Sequence, residues 1–243
     1  MASDLKDTFD TYNRRARLYP GFLTASPIAV FVVLLWKNSP IQAVGPVLIA
    51  VGGLFFLANL VRTLGKRLEA RLIRQWNGLP TTHLLRYSET KNTVQLERWH
   101  AKLERVTGVS MPSKSEEATD PATADDTYVT ATRALIPRVR DSASDFPRVQ
   151  EENIHYGFRR NLLALKPVGL AIVVASMLVD IVTVIWRPIT VEILVAGAIH
   201  AVILAIWLLV INETWVLEAG EIYAERLFEG LEKLDIASPS GNG

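Results

Sequence analysis

Apolar residues gather into four long runs that come as two pairs. GFLTASPIAVFVVLLW (21–36) is separated from IQAVGPVLIAVGGLFFLANLV (41–61) by Lys37-Asn38-Ser39-Pro40, and LLALKPVGLAIVVASMLVDIVTVIW (162–186) from ITVEILVAGAIHAVILAIWLLVI (189–211) by Arg187-Pro188. A helix rises about 1.5 Å per residue, so roughly 20 residues cross a hydrocarbon layer about 30 Å thick. The second and fourth runs exceed that length, and the first reaches it only by including Leu18 and Tyr19. Connections this short leave room for nothing but tight helical hairpins, and Trp36, Trp186 and Trp215 stand at run ends, as interfacial anchors do. The pattern predicts an all-α fold with four transmembrane helices arranged as two hairpins.

Residues 62–161 follow a different period. TLGKRLEARLIRQW spaces Leu64, Leu68, Leu72 and Trp76 four apart with charges between them, which continues the second membrane helix into water until Asn77-Gly78-Leu79-Pro80 stops it. Thr81 or Thr82 is placed to cap a short helix through Arg86. A further helix over Thr93–Thr107 has Asn92 and Gln95 in capping-box positions and Gly108 as its terminator. MPSKSEEATDPATADD (111–126) reads as a mobile linker. An amphipathic helix is expected from Thr127 until Pro137 ends it, then a helix from near Arg148 that merges with the third span and restarts at Pro167. The tail NETWVLEAGEIYAERLFEGLEKLD carries Trp215, Ile222, Leu227 or Phe228, and Leu231 as a helical stripe. It is acidic, and its natural partners are the basic stretches 62–74 and 159–160. The domain plan is therefore an N-terminal arm and first hairpin (1–61), a helical region with its linker (62–161), a second hairpin (162–211), and an acidic helix with a disordered tail (212–243).

Charge sets the orientation. Arg14, Arg15 and Arg17 precede the first run, Arg62 to Arg74 follow the second, and Arg148, Arg159 and Arg160 precede the third, whereas the hairpin turns hold only Lys37 and Arg187. The positive-inside rule then places both termini and residues 62–161 in the cytoplasm, as in a multi-pass protein of a bacterial-type inner membrane. Across 243 residues that are 49% hydrophobic the net charge is +1, which gives no support to nucleic-acid binding. The chain has no cysteine, so disulfides, thiolate metal sites and cysteine nucleophiles are excluded. Nothing in the N-terminal stretch reads as a removable signal peptide.

Candidate chemistry is sparse. The four histidines stand singly, without the i, i+3 or i, i+4 spacing of a helical metal site, and no catalytic motif, metal site or cofactor fingerprint is present. His83, His100 and His155 could meet only through folding. The intramembrane groups Asp180, Glu192 and His200 are stronger candidates, because an ionisable side chain in hydrocarbon faces protein or water. Asp180 and Glu192 are expected at similar depth on adjacent helices, where two acids would share a proton or face a hydrated lumen; alternatively Glu192 reaches the headgroups and His200 makes a neutral interhelical hydrogen bond. Gly197, Ala201 and Ala205 on the fourth run, and Ala171 and Ala175 on the third, recur four apart and permit close helix approach, within a monomer or between copies.

Two segments have the look of signatures. WNGLPTTHLLR (76–86) and ENIHYGFRRNL (152–162) resemble motifs of a family of uncharacterised bacterial multi-pass membrane proteins, and the two-hairpin plan is similar in outline to membrane effectors of bacterial anti-phage signalling systems. On a helix, Asn153, Tyr156 or Gly157, Arg160, Asn161 and Ala164 share one face. Arg159 and Arg160 are expected at the lipid headgroups; a competing arrangement gathers Arg86 and Arg160 with Trp76, Gly78, Pro80 and Tyr156 into a pocket for an anionic ligand such as a nucleotide, and a third is a structural clamp with tail acids. The expected function is a non-catalytic, homo-oligomeric channel or membrane-perturbing effector regulated through its cytoplasmic region. The alternatives are a membrane-anchored scaffold for a cytoplasmic protein partner and an enzyme acting on a lipid headgroup.

Overall fold

The computed structural model describes residues 11–34, 54–141 and 144–234, and every regular element among them is a helix. In chain order these are α1 (Thr11–Asn13, continued by a π-helical stretch Arg14–Leu18 and by Tyr19–Leu34), α2 (Leu54–Gln75), α3 (Pro80–Leu85), α4 (Thr93–Thr107), α5 (Lys114–Thr119), α6 (Pro121–Asp141) and α7 (Pro147–Ala164). They are followed by α8 (Lys166–Trp186), α9 (Val191–Ala205, continued by a π-helical stretch Ile206–Val210), α10 (Glu213–Glu229) and α11 (Leu231–Leu234). The first hairpin turn and most of the second apolar run lie outside the described residues. The chain divides into two compact units, Met1–Ala70 with Gly157–Val216 and Arg71–Tyr156 with Leu217–Gly243.

In the first unit α1, α8 and α9 pack on one another. Among the described residues two helices, Lys166–Trp186 and Val191–Val210, are long and apolar enough to cross a membrane. Each buries one narrow stripe: Gly169, Val173, Ser176 and Asp180 on α8, and Ile193, Ala196 and His200 on α9. The spacing of three and four is that of a single helix face, while the other sides expose Leu178, Ile185, Leu194 and Leu209. α8 restarts where Pro167 sits in its first turn, as expected from a residue that has no amide proton to give. Its Gly169 lies under the buried Trp207 ring, which would overlap any added Cβ. The π-helical stretch around Trp207 ends at Ile211, whose carbonyl accepts from Lys166 Nζ at 2.6 Å. Inside α1, Pro27 cannot donate to the Leu23 carbonyl, and the Ser26 hydroxyl donates to it instead at 2.8 Å.

The second unit has its own core, formed by Leu85, Leu103, Tyr128, Leu135, Val139, Phe146, Leu227 and Phe228 among others. α4 spans the residues its pattern predicts: Asn92 Oδ1 accepts from the Gln95 amide at 3.1 Å, and Gly108 ends the helix at φ 74°, the left-handed region that suits glycine. Four other expectations change. Within 111–126, residues 114–119 and 121–126 are helical, because Ser113 and Glu116 form a complete capping box for α5 and Asp120 accepts from the Thr123 amide ahead of Pro121, which opens α6. α6 continues through Pro137 to Asp141: a mid-helix proline costs roughly 3 kcal/mol, and burial of Leu135 and Val139 on either side offsets it. Neither Thr81 nor Thr82 caps α3, since Pro80 occupies the first turn and both threonines are buried. In the tail, Ile222 is exposed and Ala219, Ala224, Leu227, Phe228 and Leu231 form the buried face.

Glu117 ties these helices to the loop after α3. Its carboxylate accepts from the amides of Tyr87 (2.8 Å) and Ser88 (2.9 Å) and from the Tyr128 hydroxyl (2.6 Å). Burial pushes this carboxyl up, and those donors more than offset it, holding it below the usual carboxylate range. Burial and the bond to Glu117 raise the Tyr128 hydroxyl. His100 donates from Nε2 to the Leu85 carbonyl at 2.9 Å between the Tyr87 and Tyr128 rings, and burial displaces it downward in spite of that bond. Glu117→Ala, which orphans three donors, is expected to cost on the order of 3 kcal/mol in urea unfolding. Acid should destabilise the protein in two stages. An unfolded histidine takes a proton at higher pH than folded His100, so stability falls first as pH drops through the ordinary histidine range. The Glu117 contribution, complete above the ordinary carboxylate pKa, is then lost as pH falls through its lower folded value. Glu117→Gln should shrink the second stage of a stability profile measured against pH without abolishing it, because Glu89 and Glu232 are also held below the usual carboxylate range by their cationic partners.

Candidate functional site

Asp180 and His200 lie on the facing stripes of α8 and α9, so the helix period brings together two ionisable residues twenty positions apart. His200 Nδ1 is 2.6 Å from Asp180 Oδ2, and Nε2 is 3.1 Å from the carbonyl oxygen of Pro27 on α1. His200 is fully buried and Asp180 is 6% exposed. Asp180 Oδ1 is itself buried and has no hydrogen-bond partner among the described residues. One turn earlier, Ser176 spends its hydroxyl on the Ile172 carbonyl, so it does not answer that oxygen. Three helices therefore meet at one imidazole.

The expected meeting of Asp180 with Glu192 gives way to this contact. Counted outward from the turn after Trp186, Asp180 lies deeper than Glu192 by several residues at about 1.5 Å each, and it falls closer to the level of His200. Glu192 is half-buried in the first turn of α9, where a negative charge suits the helix dipole. Pro27 was not among the residues singled out in the sequence. A proline inside an apolar run, with Ser26 beside it, is the signal that could have marked it.

The arginines are engaged within the protein. Arg86 is buried and grips Asp125 in a fork, Nε to Oδ1 at 2.8 Å and Nη2 to Oδ2 at 2.6 Å, and also bonds Glu89 and the Asn77 carbonyl. The Asp125 bond and then Glu89 hold its pKa above the usual guanidinium value, against the effect of burial. The bond to Asn77 closes the turn that opens with half-buried Trp76: Asn77 has φ 58°, Gly78 has φ 139° and lies against Arg86, and buried Pro80 begins α3. The 76–86 signature is thus a self-closing turn whose acid, Asp125, stands in the stretch expected as a linker.

In the 152–162 signature, Tyr156 stacks parallel to Tyr223 with centroids 6.4 Å apart, and Asn153 is half-buried. Gly157 lies against Tyr12 and Ala16, where a side chain would collide. Arg159 lies over the Trp215 ring and donates to the Trp215 carbonyl at 2.8 Å. Arg160 pairs with Glu69 at 2.7 Å. Asn161, fully buried, donates to the Ala16 carbonyl at 2.6 Å, and Gly65 leaves room for its amide. Arg86 and Arg160 each have their own carboxylate, Asp125 and Glu69, and both acids stand in the middle segment, not in the tail. The tail acid Glu232 pairs with Arg98 and Lys102.

His83 bonds Glu89, His100 is enclosed in its core, and half-exposed His155 faces Glu151 and Glu152. The three do not form one cluster, and no group of three metal-ligating side chains exists among the described residues. No protein-family profile matches the chain, and no curated protein or solved structure is significantly similar to it. A charge or lone acid left buried among apolar helices is costly, whereas a pair replaced whole by apolar residues is often tolerated. His200→Leu is therefore expected to destabilise the protein by about 3 kcal/mol, and Asp180→Leu/His200→Leu to recover most of that loss, a coupling that a thermal-unfolding double-mutant cycle measures.

Proposed function

We propose that the chain is a non-catalytic inner-membrane protein of bacterial type, crossing the bilayer four times as the hairpins 21–61 and 162–211, with both termini and residues 62–161 in the cytoplasm. In this reading it acts as a homo-oligomeric channel or membrane-perturbing effector regulated through its cytoplasmic region. The observation that carries the reading is the combination found on α8 and α9. Only 22% of each apolar window is buried, unlike the core helix of a soluble fold, and the surface the two helices share encloses an ionisable pair.

Lesser supports agree with it. The lysine and arginine distribution favours cytoplasmic ends. Ala171, Ala175 and Ala201 are exposed, and a side chain added at Gly197 would meet nothing, so small residues face outward where another copy can approach. The two signature segments carry the likeness to bacterial multi-pass membrane proteins. A second reading, a membrane-anchored scaffold for a cytoplasmic protein, draws on the separate core of the second unit and on Val94, which is 76% exposed.

Expression is expected to depolarise bacterial cells in a voltage-sensitive dye assay, and the purified protein to migrate as an oligomer and leak ions from liposomes. A monomer that leaves liposomes tight while capturing one dominant partner would replace the channel reading with the scaffold.

A further inference from the structure

We infer that Asp180 and His200 bind one proton between them, and that this proton holds α1 against α9. The inference deepens the reading just proposed for the same site and rests on it for the apolar surroundings. It starts from Pro27. A backbone carbonyl accepts hydrogen bonds and never donates, so the 3.1 Å contact requires a proton on His200 Nε2. The 2.6 Å contact between Nδ1 and Asp180 Oδ2 then needs a proton of its own, since two lone pairs at that distance repel. Either the imidazole is doubly protonated beside a carboxylate, or a neutral imidazole accepts from a protonated carboxyl. In both forms the pair as a whole is neutral, which is the form an apolar layer tolerates.

Among the described residues of the three packed helices, none of the other charged groups lies at the level of the pair. On the three packed helices the remaining charged or titratable groups are Tyr12 to Tyr19 at the start of α1, Lys166 at the start of α8 and Glu192 at the start of α9; the stretch Ile206–Val210 has none. Tyr19 is roughly 12 Å of helix rise from Pro27, Glu192 roughly 12 Å from His200, and Lys166 roughly 20 Å from Asp180. Lys166 is in addition bonded to the Ile211 carbonyl.

Release of the shared proton has one structural consequence. The carboxylate that remains, with Oδ1 already lacking a partner, needs a donor from the ring, and the single imidazole proton then belongs on Nδ1. Nε2 is left bare, facing the Pro27 oxygen, and the bond from α9 to α1 becomes a repulsion. One proton leaves to water, one N–H bond moves from Nε2 to Nδ1, and the two helices lose their link. The ligand of this site is the proton, and its uptake closes the latch.

The test uses the full chain in lipid nanodiscs, with nitrogen-15 histidine and the His200 signal assigned by its loss in His200→Gln. Its ring is expected to carry a proton on Nε2 at neutral pH and to move to the Nδ1-protonated form on alkalinisation. In this cysteine-free chain, spin labels at Ile28→Cys and Val202→Cys, both exposed, report the distance from α1 to α9 without background. That distance should lengthen over the same pH interval, and Asp180→Asn, whose amide donates to Nδ1 without titrating, should abolish the change. A ring that keeps Nε2 bare at all pH values, or an Asp180→Asn protein with the full wild-type response, overturns the inference. Neither readout needs ion flux, so tight liposomes with an intact tautomer change would sink the channel reading alone.

Discussion

A carbonyl oxygen that can only accept, placed beside a histidine that must also face an acid, constrains the packing of α1, α8 and α9 in the first unit. Pro27, Asp180 and His200 come from three different helices, and each makes sense only with the others present. Pro27 in α1 directs its oxygen to the ring, and the ring in turn supplies the acid with a bond without leaving net charge. The stripes Val173–Ser176–Asp180 and Ile193–Ala196–His200 then align, with Gly169 and Trp207 closing the other end of the same contact. The apolar outer faces of α8 and α9 add little specificity of their own, because one exposed aliphatic side chain is much like another.

The second unit solves a similar problem by different means. Glu117 is buried as an acid that accepts three hydrogen bonds, two from the backbone of a loop and one from Tyr128. Arg86 is buried because Asp125, Glu89 and the Asn77 carbonyl take its donors. These contacts join α3, α5 and α6, and they explain why a segment as polar as 111–126 is ordered into helices. In both units a polar side chain decides which neighbours meet, and apolar burial supplies the bulk of the cohesion.

Much of this was legible from local pattern. The extent of α4, its Asn92 cap and its Gly108 terminator follow from positions within one helix, and so does the restart of α8 at Pro167. The errors have local causes too. Ser113-Lys114-Ser115-Glu116 was a capping box hidden by its low hydrophobicity, and Asp120-Pro121 was a helix start read as a break. Pro137 was given its usual weight as a terminator, which burial of Leu135 and Val139 exceeds. From the sequence alone, the residues of the two signatures are expected to seek lipid or an anionic ligand. Their contacts are with Asn77, Tyr223, Trp215, Glu69 and Ala16 of the same chain.

By itself the sequence determined the helical class, the apolar character of α8 and α9, the cap and terminator of α4, the restart of α8 at Pro167, and the short list of ionisable residues within apolar runs. Those depend on residue periodicity and on neighbours within a few positions. The tertiary structure alone decided that Asp180 meets His200 and not Glu192, that a proline carbonyl completes the site, and that Asp125 and Glu117 are the acids Arg86 and Tyr128 require. Such pairings depend on the depth and rotation of one helix against another, which the spacing along a single chain does not encode.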